Sequence, residues 1–414
     1  MAMALESEVQ TILSRIESQR DEMLYQLVLW AAINSGTSNL AGLSQLGNLV
    51  LDQLRAVSDD VQAVPVVPQL FVDEHGDLKE RIIGDVLLGF RRVGAPRQAI
   101  LSIHLDTVYP ANSPFQLVKQ EGNILHGPGV ADAKGGLVVL LWALKAFEDY
   151  VEATGNTKLG WKVILNSDEE IGSPASREVF SNHSDGVDFG LLFEPCLPNG
   201  SLVGQRKGSG NFEIVVRGQA AHAGREFFKG RNAIVAAAQV TQKLHALNGR
   251  WHDTTINVAK IDGGGPTNVV PDTAVVRFNV RYPSADIEGA LNAAINRIIE
   301  ETQDGITLIR HGGFFAPPKP MTEAYESLLK TVQANGKTLG IDLAWEPTGG
   351  VCDGNRLAAL GIPNVDTMGV RGGNIHSPQE YMHCDSLVQR TQLTFLTLIT
   401  LAERFPQAEA PAPE

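Results

Sequence analysis

The segment HLDTVYP sets His104 and Asp106 at the end of an apolar run, two residues apart, so an extended strand turns both side chains to one face. An aspartate so placed can hold the imidazole N–H of a ligating histidine, fixing its tautomer and raising its basicity. GPGVADAKGG puts Asp132 in a Gly-rich turn ahead of a helix. SDEEIGS offers Asp168, Glu169 and Glu170 after the apolar run WKVILN, FEP places Glu194 after another, and GGNIHSPQEY carries His376. Each piece alone has an ordinary explanation: a hydrogen-bonded strand-end histidine, a turn aspartate, a solvated helix start. Together, the histidines and carboxylates of these five segments are the imidazole and carboxylate donors that suit Zn²⁺ or a similar borderline cation.

Those loops need strands behind them, because an open α/β sheet gathers its site at the carboxyl ends of its strands. Apolar runs at 82–90, 98–105, 161–167 and 189–194 read as buried strands, and 135–153 and 174–182 as helices between them. Two helices are predicted to open the chain, the first over Val9 to Trp30 and the second over Leu43 to Leu54. From 211 to 312 the order changes to strand, helix, strand, strand, helix, strand, the ferredoxin-like pattern of an inserted α+β domain. APPKP at 316–320 reads as the linker back. A helix at 322–339, strands near 342–346 and 362–369, a helix after Asp353 and a final helix at 385–404 complete an α/β unit with a largely parallel sheet. The expected division is 1–208 and 319–414 for the first domain and 209–318 for the insert, with the terminal PQAEAPAPE frayed.

The 414 residues suffice for two or three domains, and 43% hydrophobic with 20% charged residues is a globular composition. A net charge of -13 opposes phosphate backbones and anionic lipid, which argues against nucleic-acid and membrane partners. No stretch reaches the roughly 18 uncharged apolar residues of a membrane helix. The start, with Glu6 and Glu8, does not read as a signal peptide, and three scattered cysteines make no disulfide framework. A cytoplasmic location is expected.

The ordered motifs HLDTVYP, GPGVADAKGG, SDEEIGS, FEP, GQAAHAG, GRNAI, GGGPTNVVPD, NVRYP, GGVCDGN and IHSPQEY resemble the M20 family of dinuclear zinc peptidases and amidohydrolases. Within it the chain looks most like the glutamate carboxypeptidase (carboxypeptidase G2) branch. The resemblance implies a zinc-peptidase-like mixed sheet flanked by helices, with the inserted domain serving as lid and homodimerisation surface. It implies two Zn²⁺ ions, with cobalt or manganese as substitutes. Asp132 would bridge them, His104 and Glu194 would complete one site, and Glu170 and His376 the other. Glu169 would be the general base on a metal-bridging water, Asp106 the partner of His104, and His222 of the HAG motif a stabiliser of the oxyanion in the partner subunit's site. Asn268 and Arg281 match positions that bind substrate, and a guanidinium suits a terminal carboxylate because it donates two parallel hydrogen bonds.

The implied reaction is hydrolysis of a peptide or N-acyl amino acid amide with release of a C-terminal amino acid. A deacetylase or desuccinylase on the same residues is the alternative within the class, and a catalytically inactive binding or dimerisation protein the alternative outside it. Gly313 stands where the carboxypeptidase G2 branch has an arginine, Arg371 is a candidate compensating charge, Ala133 replaces an acidic residue, and Cys352 takes the place of a serine or threonine.

Overall fold

Alternate residues of the strand Arg97–His104 belong to different cores, which fixes the layering of the molecule. Ala99, Leu101 and Ile103 face the larger core, whereas Ile100 packs with Val86, Leu88, Ile164 and Leu192 in a second one on the opposite side. The computed structural model describes residues 2–301 and 304–404; the expected fraying of 406–414 lies outside them. The central sheet has six strands in the order Asp60–Val64, Val86–Arg91, Leu159–Asn166, Arg97–His104, Phe189–Leu192, Asn364–Val365. The last four are mutually parallel, and Val86–Arg91 runs antiparallel to both neighbours, so the sheet is mixed.

The helix Lys134–Thr154 is apolar nearly all round because it is enclosed between that sheet and the helices Ala2–Ser18, Arg20–Ala31 and Asp385–Arg404. It stops at Gly155, whose φ of 69° lets the helix end in a left-handed residue. The short helices Arg177–Asn182 and Asp353–Ala359 cover the other face through Val179, Phe180 and Leu357. The first predicted helix is two, Ala2–Ser18 and Arg20–Ala31, broken at Gln19, and Leu40–Arg55 follows. The strand expected at 362–369 shrinks to Asn364–Val365, and the one near 342–346 is Trp345–Thr348, which pairs with Leu202–Arg206 rather than with the central sheet.

The ferredoxin-like expectation matches the observed topology. An antiparallel sheet in the order Thr255–Gly263, Thr273–Tyr282, Gly208–Arg217, Thr307–Ala316 carries the helices Ala233–His245 and Ala285–Glu300 on one face. The other face is strapped by a hairpin absent from the expected elements, Gln69–Val72 with Leu78–Arg81, which arrives from the central-sheet unit. Val72 packs on Val215 and Val275, Arg277 donates to the carbonyls of Val72 and Asp73, and Arg217 donates to those of His75 and Gly76. Among the described residues no helix is long and apolar enough to cross a membrane.

Candidate metal centre

The parallel strands deliver the predicted ligands to one place. His104 is the last residue of Arg97–His104, and the turn Glu169–Ile171 follows Leu159–Asn166. Glu194 lies two residues beyond Phe189–Leu192, and Asp132 precedes the buried N-terminus of the Lys134–Thr154 helix, with a cis peptide to Ala133. A small sheet that pairs Tyr381–His383 with Ile124–His126 brackets the segment bearing His376.

Asp132 stands at the middle of the cluster. Its Oδ1 is 3.1 Å from His104 Nε2, which is 3.6 Å from Glu194 Oε2. Its Oδ2 is 3.2 Å from His376 Nε2, which is 3.3 Å from Glu170 Oε2. Each oxygen of one carboxylate therefore faces one imidazole, and each imidazole in turn faces one glutamate, giving two half-sites. His104, Asp132 and Glu170 each offer a ligand atom within 4.8 Å of the others. Two observations fit this set to cations: among the described residues Glu170 Oε1 is buried without a hydrogen-bond partner, and His104 Nδ1 lies 2.9 Å from the Asp106 carbonyl, which leaves Nε2 to face the cluster as a donor atom.

Crowded acids and imidazoles trade protons here. Burial lifts the Glu169 carboxyl well above the usual range, and the charge of Glu194 adds to it. Burial and then Asp132 raise Glu170 to about 7, and burial also raises Glu194. Burial lowers the His104 pKa, but Glu194, Asp106 and Asp132 outweigh it and hold it well above the ordinary value. Asp132 and Glu170 raise His376 to about 10. Asp132 shows the converse: burial pushes it up, but His104 and His376 hold it well below the carboxylate range.

The Asp106 carboxylate does more than the spacing suggested. It lies 3.5 Å from His104 Nδ1, accepts the amides of Glu169 and Glu170 at 3.2 and 3.3 Å, and takes a hydrogen bond from Thr37 at 2.7 Å. Both glutamates of the turn line the same cavity, but Glu170 lies against His376, whereas among the described residues the Glu169 carboxylate has no hydrogen-bond partner. Asp168 caps the far side, accepting from the amides of Ala175 and Ser176 and from the Ser176 hydroxyl.

A cavity of about 360 Å³ opens from the cluster and is lined by Asp132, Glu169, Glu170, Glu194 and His376 together with Arg206, Arg281 and Cys352. Arg281, on Thr273–Tyr282, crosses from the second unit and donates to the carbonyl of Gly349 at 3.3 Å. His222 and Asn268 sit elsewhere. Both are exposed, neighbours across the short pair of Ala221–His222 with Val269–Val270, and neither lines the cavity. Arg371 is directed to Asp385 at 3.6 Å and Gly313 pairs with Asn211 in the second sheet, so neither reaches the cavity. Cys352 caps the helix Asp353–Ala359 by accepting from Gly354, and burial pushes its thiol well up.

Two residues without an assigned role prove important. Glu380, wholly buried, accepts the amides of Gly129, Ala131 and Asp132 and the Tyr109 hydroxyl, so it sets the Gly-rich turn that presents Asp132. Its signal was an acid in IHSPQEY opposite a glycine turn rich in unpaired amides. Arg206 also lines the cavity, paired through Nε and Nη2 with Asp366.

Comparison with known proteins agrees with this geometry. The family described as Peptidase family M20/M25/M40 matches residues 100–400. Carboxypeptidase G2 of Pseudomonas sp. (strain RS-16) is 25% identical over 380 residues, 89% of this chain and 86% of that protein. A succinyl-diaminopimelate desuccinylase of Nitrosospira multiformis is 27% identical over 312 residues, 71% of this chain and 79% of that protein. The fold superposes on the crystal structure of a tripeptidase from Staphylococcus aureus with a TM-score of 0.72 at 22% identity, covering 93% of this chain and 99% of that one.

Proposed function

The chain belongs to peptidase family M20/M25/M40, whose members hydrolyse peptide or N-acyl amino acid amides, and from that premise we propose a dinuclear metallocarboxypeptidase with Glu169 as its general base. The observation that carries the reading is the shared Asp132: His104 and Glu194 on one side and His376 and Glu170 on the other would hold two divalent ions, zinc in our assignment. When bound, such ions supply Lewis acidity that acidifies water and polarises an amide carbonyl.

The chain's own groups do the rest. Glu169, half-buried and without a side-chain hydrogen-bond partner among the described residues, is free to take a proton from water and return it to the leaving amine. Its raised pKa suits a group that must hold the proton between those events. Arg281 lies across the cavity from the cluster, where a guanidinium can hold the α-carboxylate of the residue released. His222 and Asn268 are exposed on the second unit, so we assign their action on oxyanion and substrate to the cavity of a second copy, in a homodimer formed through residues 209–318, the lid domain of our division. Three free, buried cysteines support a reducing cytoplasm.

The test is a screen of dipeptides and N-acyl amino acids with zinc present, varying the C-terminal residue first, alongside Glu169→Gln. The variant should keep two metals per chain and lose turnover by about 10²- to 10⁴-fold. Retained turnover would remove Glu169 as the base. Preference for acetyl or succinyl amides over peptides would select the deacylase reading, which the desuccinylase relatives favour.

A further inference from the structure

The chain passes between its two units twice, at Arg206–Gly208 and at Ala316–Lys319, and the two crossings pair with each other. The amide of Arg206 donates to the carbonyl of Lys319 at 3.1 Å, and the amide of Lys319 returns the bond at 2.9 Å. One helix tip grips both. The Asn355 side chain, wholly buried, donates to the carbonyl of Lys207 on the outgoing crossing at 3.0 Å and to that of Pro317 on the returning one at 2.7 Å.

Its neighbour Arg356 reaches further. Nε donates to Asp353 Oδ1 at 2.9 Å, Nη1 to the carbonyl of Phe315 at 3.3 Å, and Nη2 to the carbonyl of Gly172. Gly172 closes the turn that begins with Glu169: its amide donates to the Glu169 carbonyl at 2.7 Å, and its φ is 91°. A methyl group there would stand 2.9 Å from the Phe315 ring, so the strand returning from the second unit lies directly against this turn. Asp353, which orients Arg356, also accepts from Ser173 Oγ at 2.6 Å and Asn166 Nδ2 at 2.7 Å. The turn is thus held from two sides, by the Asp106 carboxylate at its first two amides and by Arg356 at its last carbonyl.

We propose that Arg356 is a positioning residue for Glu169, tying the turn that carries the general base to the strand returning from the second unit. The inference rests on the reading of Glu169 as the base. A guanidinium suits the task because its planar fork presents several donors in fixed directions, whereas an ammonium is a point charge on a flexible stem. Three acceptors on three segments use that fork: the base turn, the crossing strand and the helix that grips both crossings.

The experiment compares Arg356→Lys and Arg356→Gln with Glu169→Gln in the metal-replete full chain, reading kcat, KM, metal content and amide hydrogen exchange. Arg356→Gln should lower kcat about 10- to 100-fold, with KM changed less than about threefold and two metals retained, because a base displaced by about 1 Å still leaves the substrate-binding groups in place. Arg356→Lys should recover part of that loss. Exchange should quicken together in peptides covering 168–175 and 314–319. A folded, metal-replete Arg356→Gln variant with unchanged kcat overturns the proposal, as does a kcat loss that only tracks metal loss, or exchange that quickens in neither segment. Should the glutamine variant not fold, the same criteria apply to the lysine variant. A dead Glu169→Gln beside unaffected Arg356 variants refutes only this inference, whereas an active Glu169→Gln refutes the reading beneath it.

Discussion

Glu380 Oε1 accepts the backbone amide of Asp132 at 3.0 Å across 248 residues of chain, and so the carboxylate shared between the two half-sites is placed by an acid from a distant part of the sequence. The same side chain holds the amides of Gly129 and Ala131, which a glycine turn otherwise leaves bare. Glu380→Gln keeps the shape but swaps one acceptor for a donor that points at an amide. We expect metal affinity to fall about 10- to 100-fold, the usual effect of losing an outer partner of a ligand. Metal retained per chain against a graded chelator measures it, and an unchanged titration would show that the turn holds itself.

Gly136 brings the helix onto the strand that leads to Glu194. A methyl group there would lie 1.9 Å from the carbonyl oxygen of Phe193, a backbone atom that cannot swing aside. Gly136→Ala should therefore cost about 1–3 kcal/mol through overpacking, despite alanine's better helix propensity. Because Glu194 follows Phe193 directly, weaker metal binding should accompany the lower melting temperature. A variant as stable as the parent would mean that helix and strand separate freely.

The strap across the second sheet offers a different test. Arg277 donates to the carbonyls of Val72 and Asp73 and contacts Glu213 and Asp262, so Arg277→Ala removes one of the hairpin's two arginine anchors. Faster proteolysis within 69–81, with both metals retained, is the expected result. Protection equal to the parent's would leave Arg217 together with Val72, Val215 and Val275 as sufficient anchors.

How much of this was legible follows from the range of each interaction. Strands such as 98–105 and helices such as 135–153 announce themselves by local periodicity, and the ligands stand at their ends in recognisable motifs. The hairpin at 69–81 did not, since its strands are only four residues each and its apolar partners, Val215 and Val275, lie far along the chain on the other unit. The spacing sets Asp106 near His104, but its work on the Glu169 and Glu170 amides depends on a parallel neighbour that no spacing reveals. Arg371, open in the sequence between a compensating charge and a loop residue, lies toward Asp385. Arg206 becomes a cavity residue only because Asp366, 160 residues on, lets a guanidinium be buried there.

That last pair carries a pH prediction. Asp366 is wholly buried and bound by Arg206 at 2.7 and 2.9 Å and by Lys319 Nζ at 2.7 Å. Burial works against its charge, but the two cations hold its carboxyl well below the carboxylate range. An acid depressed in the folded state contributes stability above its unfolded pKa, about 3.9, and that contribution fades as pH falls toward the folded value. At neutral pH, Asp366→Asn should cost about 3–5 kcal/mol, because it strands Arg206 and Lys319 among buried groups without their counter-charge. In acid the order changes. The parent loses this increment as pH falls below about 4, while the asparagine variant has none to lose, so the two stability curves should converge on acidification. Urea midpoints measured from pH 7 to pH 3 test the relation, and parallel curves would show that the Asp366 charge is not what binds the two cations.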